Sequence, residues 1–353
     1  MYPTIEINLN NIIENIKITK NICIKNDIKF SLVTKLLSDD KKIVEKLVQN
    51  GIDCICESRI QNIVSYKNIN VEKWLIRSPM MYEIEDVIKY SDVSFNSEIK
   101  IIKALNNEAK KQKKKHKIIL MLELGDLREG ILKCDIMNYV SECIKLSNII
   151  LYGIGTNLSC YGEILPNKEN MNELSNIANE IEKKFKINLE IVSGGNSSSY
   201  YMMKNGCLPK KINNLRLGES IFLGNLPCYE KKISELKHDN FILKAQIIEL
   251  KEKPSVPWGE SGLSNSFGES VSFIDRGIRK RAIIALGKQD VNINGIYPID
   301  EKIIILGGSS DHIILDVTDS NQKYDVGDII EFNLNYSSVL TLMTSKYVNR
   351  KVI

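Results

Sequence analysis

The feature that most constrains the fold is a regular alternation of short apolar runs and amphipathic segments. Eight β-rich runs begin near residues 30, 53, 73, 92, 117, 150, 189 and 213, and helix-favouring segments separate them. Runs that are apolar throughout are typical of parallel strands buried on both faces, and parallel strands need crossover connections. Eight such units predict an α/β fold built on a (β/α)8 TIM-type barrel.

Two of the intervening segments carry clear helix signals. The segment "DDKKIVEKLVQN" is followed by Gly51, which suits a left-handed C-terminal cap. In "EIKIIKALNNEAKKQ", one face holds Ile102, Leu105 and Ala109. The basic stretch "KKQKKKHK" ends this segment, where cations complement the helix dipole, and it is either a solvated face or an anion-binding patch.

After about residue 240 the pattern changes to strands joined by turn-rich loops. We therefore expect a barrel over residues 1–240 and a C-terminal β domain over residues 241–353. The early segment "TIEINL", residues 4–9, reads as an extra strand that joins the β domain. Residues 251–270, rich in proline and glycine, are either a surface connection or a rim of an active site.

Composition excludes several classes of protein. A net charge of +4 is too small to indicate a nucleic-acid partner. Eight cysteines without a CxxC pair, together with only three histidines, argue against a zinc site, so no metal is expected. No signal peptide or membrane span is recognisable, and we expect a reduced, cytoplasmic protein that does not interact with membranes.

The run "FSLVTK" places Lys35 at the last position of the first barrel strand. Active sites of such barrels lie at the carboxyl ends of the strands. A lysine there can simply extend into water. Held in a partly apolar mouth, it has a lowered pKa and can attack an aldehyde cofactor as an amine nucleophile.

The seventh strand runs into "SGGNSSSYY" and the eighth into "RLGES". Glycines and hydroxyl residues at a helix start expose N–H donors, and barrels bind phosphate after strands 7 and 8. Either loop alone is equally typical of a plain helix start. Together they predict a phosphate site.

These residues resemble the fold type III pyridoxal phosphate enzymes typified by alanine racemase. The resemblance runs through "YPTIEINLNNIIENI", "TNLSCYG", "VSGGNSSS", "LRLGES", "GIRKRAIIALGKQD" and "SSDHIILDV", and thus covers nearly the whole chain. It implies pyridoxal 5′-phosphate as cofactor. It also implies a homodimer in which the β domain of one protomer completes the site of its partner.

The resemblance assigns cofactor contacts position by position. Lys35 matches the lysine that binds the cofactor covalently, and Arg216 matches the arginine that faces the pyridine nitrogen. The remaining matches are Asn196 and Ser197 at the phosphate, the backbone N–H groups of Gly218 and Glu219 at the phosphate, Arg128 at the phenolic oxygen, and Asn157 in place of a histidine that stacks on the ring.

The chain also departs from the family pattern. "LLSDD" follows Lys35 where alanine racemase has a phosphate-contacting tyrosine. The motif that supplies the second catalytic base from the partner reads "GKQD", with Lys288 at the tyrosine position. Candidates for that base are Lys288, His312 and Tyr161; for His312 a structural role is an equal alternative.

The resemblance implies a racemase that interconverts the two enantiomers of ornithine by two-base transfer of the α-proton. Alternatives are a racemase of lysine, alanine or serine, or a cofactor carrier without catalysis. A carrier of this type ends at the barrel, however, and the motifs of a decarboxylase are absent from the sequence.

A substrate with a second ammonium group needs a carboxylate partner, because an unpaired, partly desolvated cation is costly. Asp290 in "GKQD" and Asp311 in "SSDH" each offer one. We predict that Asp311 takes this role with Ser310 beside it; for either aspartate, a turn or strand-end residue is the alternative.

Overall fold

The computed structural model describes residues 1–229 and 231–353. The chain divides into two compact units, one formed by residues 11–238 and the other by residues 1–10 together with 239–353. The division after residue 238 lies two residues before the boundary expected from the sequence.

The larger unit contains a closed barrel of eight parallel strands. After the N-terminal strand β1 (Thr4–Ile7), the barrel strands are β2 (Lys29–Val33), β3 (Cys54–Glu57), β4 (Glu72–Leu75), β5 (Val93–Asn96), β6 (His116–Leu122), β7 (Ile149–Thr156), β8 (Ile191–Ser193) and β9 (Asn214–Leu217). Each strand pairs with the next, and β2 pairs with β9 to close the barrel. The predicted (β/α)8 barrel is confirmed.

Helices connect successive barrel strands, one further helix precedes the first of these strands, and another follows the last. In chain order they are α1 (Leu9–Lys25), α2 (Lys41–Gln49), α3 (Ile60–Ser65), α4 (Ile84–Tyr90), α5 (Ile99–Lys111), α6 (Ile136–Cys143), α7 (Lys168–Phe185), α8 (Tyr200–Lys204) and α9 (Glu219–Leu223). Short 3-10 helices occur at Lys35–Leu37, Met81–Glu83 and Ser197–Ser199. A small two-stranded sheet, β10 (Asn225–Leu226) with β11 (Lys231–Lys232), follows α9.

The helix signals in the sequence act as expected. α2 begins where the Asp40 carboxylate accepts the N–H of Ile43 at 3.2 Å, and the chain leaves the helix through Gly51 at φ +94°. On α5, Ile102, Leu105 and Ala109 are all fully buried.

Apolar side chains fill the barrel interior. Cys54 and Cys56, two residues apart on β3, share one interior cluster with Trp74 and Phe95. The rings of Trp74 and Phe95 lie 5.8 Å apart in a tilted arrangement. The two thiols therefore serve as small apolar side chains of the core.

The smaller unit is an eight-stranded sheet, which confirms the predicted C-terminal β domain. Its further elements are β12 (Phe241–Pro254), β13 (Ile278–Ile284), β14 (Ile296–Pro298), β15 (Ile304–Gly308), β16 (Ile313–Asp316), β17 (Ile329–Leu334), α10 (Tyr336–Leu342) and β18 (Asn349–Val352). The main strand order is β14, β17, β12, β13, β16, β15, and all of these pairs are antiparallel.

β1 belongs to this sheet, where it pairs with β12 in antiparallel fashion and with β18 in parallel. The predicted strand over residues 4–9 is two residues too long. Leu9 already begins α1, and the N–H of Asn8 turns to the carbonyl of Asn240 at 2.9 Å.

The segment 251–270 combines two kinds of structure. Its first four residues, through Pro254, extend β12. Residues 255–277 are all described, and none of them forms a helix or strand. In the two described stretches of the chain, no helix has both the length and the apolar character to cross a membrane.

Candidate active site

Lys35 lies in a tight turn just beyond β2. The strand ends two residues earlier, so Lys35 opens a 3-10 helix instead of ending the strand as predicted. The turn forms because the Thr34 carbonyl accepts the N–H of Leu37 at 2.8 Å. The Thr34 N–H still donates to the Cys56 carbonyl at 3.0 Å, so the backbone before Lys35 stays fixed to β3.

The surroundings of the Lys35 amine lower its pKa. Burial is the largest cause, and the positive charge of Arg128 acts in the same direction. The Cys160 thiol and the carboxyls of Glu57 and Glu219 act in the opposite direction. Because its pKa is lowered, Lys35 is more often the neutral amine that can act as a nucleophile or base.

The loops after β8 and β9 converge on the hydroxyl of Ser197. Its Oγ accepts the N–H groups of Gly218 at 3.2 Å and Ser220 at 3.1 Å. Asn196 caps the 3-10 helix that begins here, because its Oδ1 accepts the N–H of Ser198 at 2.8 Å. The Ser198 Oγ is buried and has no hydrogen-bond partner within residues 1–229 and 231–353. Such a set of donors suits an anion.

Arg216, on β9, is only 4% exposed. One terminal nitrogen donates to the Ser193 hydroxyl, and the other donates to the Thr156 carbonyl at 2.8 Å and to the Asn157 Oδ1 at 3.4 Å. The guanidinium carbon lies 4.9 Å from the centre of the Phe95 ring. Burial lowers the pKa of Arg216 to about 10, so the group is still charged near neutral pH.

Asn157, at the end of β7, connects three parts of the site. Its Oδ1 accepts from Arg216 and also from the Asn196 Nδ2 at 3.2 Å. Its own Nδ2 lies 2.9 Å from the Cys160 sulfur, to which it donates. These contacts fix the plane of the amide.

Arg128 lies on the loop after β6, where its guanidinium forms an ion pair with Glu129. The side chain is partly exposed. Asp126, two residues earlier, is buried.

The Asp126 carboxylate joins the loop after β6 to the loop after β7. It accepts the backbone N–H groups of Cys160 at 3.2 Å, Tyr161 at 3.2 Å and Gly162 at 3.1 Å. The side chain of Tyr161 is 72% exposed. The two loops that carry Arg128 and Tyr161 are therefore held together by hydrogen bonds from backbone N–H groups to the Asp126 carboxylate.

Two carboxyls near Lys35 complete the barrel site. Glu57 is fully buried at the end of β3, and burial raises its pKa to about 7. Burial also raises the pKa of Glu219, the first residue of α9, to about 7. The sequence indicated only a backbone N–H contact for Glu219 and did not indicate Glu57. Both residues end or follow barrel strands, as Lys35 does.

The residues selected in the β domain form a second group. The Lys288 N–H donates to the Ser309 carbonyl at 2.9 Å, and the Gln289 N–H donates to the Ser310 carbonyl at 3.2 Å. A Cβ on Gly287 would lie 1.9 Å from the Ser310 carbonyl oxygen, so this approach requires glycine. The segments "GKQD" and "SSDH" are thus paired directly.

The side chains of the two segments differ in exposure. Asp311 is exposed, and its carboxylate accepts from the Ser310 hydroxyl at 2.6 Å and from the Gln289 amide. Asp290 is only 5% exposed and accepts the Ser345 hydroxyl at 2.6 Å. Asp290 is thus bonded to a hydroxyl of its own domain, whereas Asp311 faces solvent.

Lys288 and His312 have partners within the β domain. The Lys288 amine pairs with Glu269 and lies 4.4 Å from the centre of the Phe267 ring. The segment 255–277 therefore folds against Lys288. His312 is exposed just before β16, with its Nδ1 3.4 Å from the Ser309 hydroxyl.

Comparison with known proteins gives a consistent picture. The family model described as alanine racemase, N-terminal domain, matches residues 7–226. An ornithine racemase of Acetoanaerobium sticklandii is 47% identical over 354 residues, which cover 100% of both chains. A lysine racemase of Thermotoga maritima is 41% identical over 352 residues, covering 99% of this chain and 98% of the relative.

Solved structures share the fold at lower identity. An alanine racemase of Clostridium difficile 630 matches with a TM-score of 0.75 and 20% identity, covering 100% of this chain and 96% of that one. An alanine racemase from Bartonella henselae with covalently bound pyridoxal phosphate matches with a TM-score of 0.75 and 20% identity, covering 99% of both chains. From the family model and the two full-length relatives, we conclude that this chain belongs to the alanine racemase family.

Proposed function

We propose that this protein is a pyridoxal 5′-phosphate-dependent isomerase that interconverts L- and D-ornithine. The observation that carries the proposal is the position of Lys35, whose lowered pKa coincides with an anion-binding loop pair and a buried arginine in one barrel end. The substrate rests on the ornithine racemase that is 47% identical over the full length.

The residues at the barrel end fit this cofactor. A phosphate needs several donors, and the buried Ser198 hydroxyl lacks a partner among the described residues. The N–H groups of Gly218 and Ser220 point to the same place, since both donate to Ser197. An amine with a lowered pKa, such as that of Lys35, suits covalent attachment to an aldehyde.

We assign the cofactor contacts accordingly. Asn196, Ser197 and the backbone of Gly218 and Glu219 would hold the phosphate. Arg128 would bind the phenolic oxygen, and Asn157 and Arg216 would contact the ring. Pyridoxal phosphate bound there supplies an electron sink that acidifies the α-proton of an attached amino acid.

Lys35 has two tasks in this mechanism. It would hold the cofactor covalently, and once free its Nζ would remove or return the α-proton on one face of the substrate. The lowered pKa of Lys35 favours the neutral form that accepts this proton.

Arg216 limits side reactions. A guanidinium carries only donors, so the atom that faces it must act as an acceptor and remain without a proton. With that atom unprotonated, the cofactor would supply a weaker electron sink than with a protonated ring nitrogen. This suits an enzyme that removes and returns one proton, since a strong sink favours transamination.

Racemisation also needs an acid–base group on the opposite face of the α-carbon. We propose that it comes from the β domain of a partner protomer in a homodimer, with Lys288 and His312 as the candidates; Tyr161, on the barrel, is the third. Lys288 occupies the position of the family's second base, and the loop contact with Glu269 orients its amine.

Substrate selection falls to the second group of residues. Asp311 is exposed, and neutral donors from Ser310 and Gln289 hold its carboxylate without cancelling its charge. We propose that it pairs with the side-chain ammonium of ornithine. Lysine is the second candidate substrate, because the full-length relative at 41% identity is a lysine racemase.

The proposal is tested by incubating the purified, cofactor-loaded protein with each enantiomer of ornithine, lysine, alanine and serine, followed by optical rotation. Among the four amino acids, ornithine should racemise fastest, whichever enantiomer is supplied. Faster turnover of lysine than of ornithine would make lysine the assigned substrate. A protein that binds the cofactor but racemises none of the four amino acids would be a cofactor carrier.

The shared site is tested by mixing two inactive variants, Lys35→Ala and Lys288→Ala. If each site combines one protomer's barrel with its partner's β domain, a mixed dimer contains one intact site and recovers activity. If both residues act within one protomer, the mixture stays inactive.

A further inference from the structure

Glu57 is a buried carboxyl at the barrel end to which the mechanism above gives no role. It is the last residue of β3 and is 0% exposed. Its Oε1 accepts the Thr34 hydroxyl at 2.6 Å, and its Oε2 accepts the Asn62 amide at 3.0 Å. The N–H of Ser58 also donates to it. These donors are neutral, so they fix the carboxyl and stabilise its charged form without neutralising it.

Lys35 follows Thr34, the residue whose hydroxyl donates to this carboxyl, and its positive charge acts to lower the pKa of Glu57. Burial is the largest influence on both groups, raising the pKa of Glu57 and lowering that of Lys35. Beyond burial, the charge of each group opposes the shift of the other. Thr34, which donates to Glu57, immediately precedes Lys35, so one turn fixes both groups.

Other charged groups act on the same lysine. The charge of Arg128 lowers the pKa of Lys35, whereas Cys160 and Glu219 act to raise it. Cys160 lies on an exposed loop, and Glu219 is half-buried at the start of α9. Glu57 differs from both because donors on two oxygens hold it in the barrel wall. Its position relative to the Lys35 turn is therefore set by hydrogen bonds from Thr34 and Asn62.

We propose that Glu57 is a positioning residue for Lys35, a carboxyl fixed beside the turn whose ionised form favours a proton on the Lys35 nitrogen in the cofactor-bound protein. The same charge then makes Lys35 a stronger base once a substrate has displaced it. This role rests on the proposed function for its catalytic meaning. Its electrostatic part depends only on cofactor attachment at Lys35.

Glu57→Gln tests the proposal, since it keeps the shape of the side chain and removes the charge. The visible absorption of the cofactor-bound full-length protein depends on the proton at the Lys35 nitrogen, so a pH titration of that absorption reports its affinity. Loss of a nearby negative charge makes the proton easier to remove, and the midpoint should fall by about one pH unit. The low-pH limb of the kcat–pH profile should also move to lower pH.

Glu83→Gln is the matched control. Glu83 is also a buried carboxylate of the barrel, but it pairs with Arg77. Its loss should lower stability and leave the midpoint of the titration in place. A wild-type midpoint in Glu57→Gln, or an equal shift in both variants, would overturn the proposal.

A pair of changes at Thr34 decides the matter if Glu57→Gln fails to fold or to bind the cofactor. Thr34→Val removes the donor to Glu57 and favours the neutral carboxyl, so the midpoint should fall part of the way. Thr34→Ser keeps the hydroxyl and should titrate like the wild type. Equal midpoints in the two variants would refute the role of Glu57.

The titration needs no substrate and is therefore independent of the proposed activity. A wild-type protein that titrates as described but does not racemise ornithine would overturn the proposed function and leave the counter-charge in place. Normal racemisation of ornithine, with no effect of Glu57 on the titration, would overturn the counter-charge role and support the proposed function.

Discussion

Asp311→Asn should reduce the preference of the enzyme for a diamino acid. The change removes one negative charge, keeps the size of the side chain, and leaves an oxygen that can still accept from Ser310 or Gln289. A hydrogen bond to a charged group is worth about 1.5 to 3 kcal/mol, which corresponds to a loss of about 10- to 150-fold in kcat/KM. Asp311 is exposed, so screening by water places the expected loss near the lower end.

The assay compares kcat/KM for ornithine and for alanine, measured by chiral chromatography in the wild type and in the variant. Ornithine turnover should fall while any alanine turnover stays unchanged, because alanine has no side-chain ammonium. Asp290→Asn is the matched control: this carboxylate is buried against Ser345, so its loss should lower thermal stability without changing the ratio of the two substrates. Equal losses on both substrates in Asp311→Asn would refute the assignment and give Asp311 a structural or general catalytic role.

Three further changes test other parts of the structure. Lys35→Ala should abolish the cofactor adduct that borohydride fixes, as peptide mass spectrometry would show; an adduct on another lysine would contradict the assignment. Arg216→Glu should slow racemisation and increase transamination, because a carboxylate favours a protonated ring nitrogen; an unchanged spectrum and rate would mean that Arg216 does not face the ring. Burial lowers the pKa of His116 to about 4, so the unfolded chain takes up this proton first as the pH falls below about 6.5, and stability is lost. Between pH 6.5 and 4 this loss is about 3 kcal/mol, and denaturant unfolding of His116→Gln should lack that part of the acid destabilisation.

The barrel was predictable because its signals are local. Each strand is a short apolar run, and each helix carries its own periodicity and cap, as Gly51 and the face of Ile102, Leu105 and Ala109 illustrate. The prediction that Lys35 ends the first barrel strand was wrong by two residues, because the sequence carries no local signal for the turn after β2. The hydrogen bond that starts the turn after β2 involves the carbonyl of Thr34, and "SLVTK" by itself continues equally well as a strand.

Glu57 was not predictable, because its environment comes from other elements. In the sequence it is one acidic residue after an apolar run, a position where a carboxylate commonly faces water. Its burial depends on Thr34 beyond β2 and on Asn62 in α3, which only the closed barrel brings together. The same limit applies to Asp290 and Asp311. Both follow turn residues, yet in the fold Asp290 is buried and bonded to Ser345, whereas Asp311 is exposed.

The contacts of Asp126 have a consequence for how this enzyme family can change its substrates. The clamp between the two loops uses the backbone N–H groups of Cys160 and Tyr161, which every residue except proline possesses. Substitutions at these two positions should therefore change the side chains at the barrel mouth while the backbone contacts between the two loops are retained. Gly162 is different, since a Cβ there would lie 2.8 Å from the Asp126 carbonyl oxygen. The contact with Asp126 should accordingly survive substitutions at 160 and 161, whatever these do to the Cys160 sulfur or the Tyr161 hydroxyl, and should require glycine at 162.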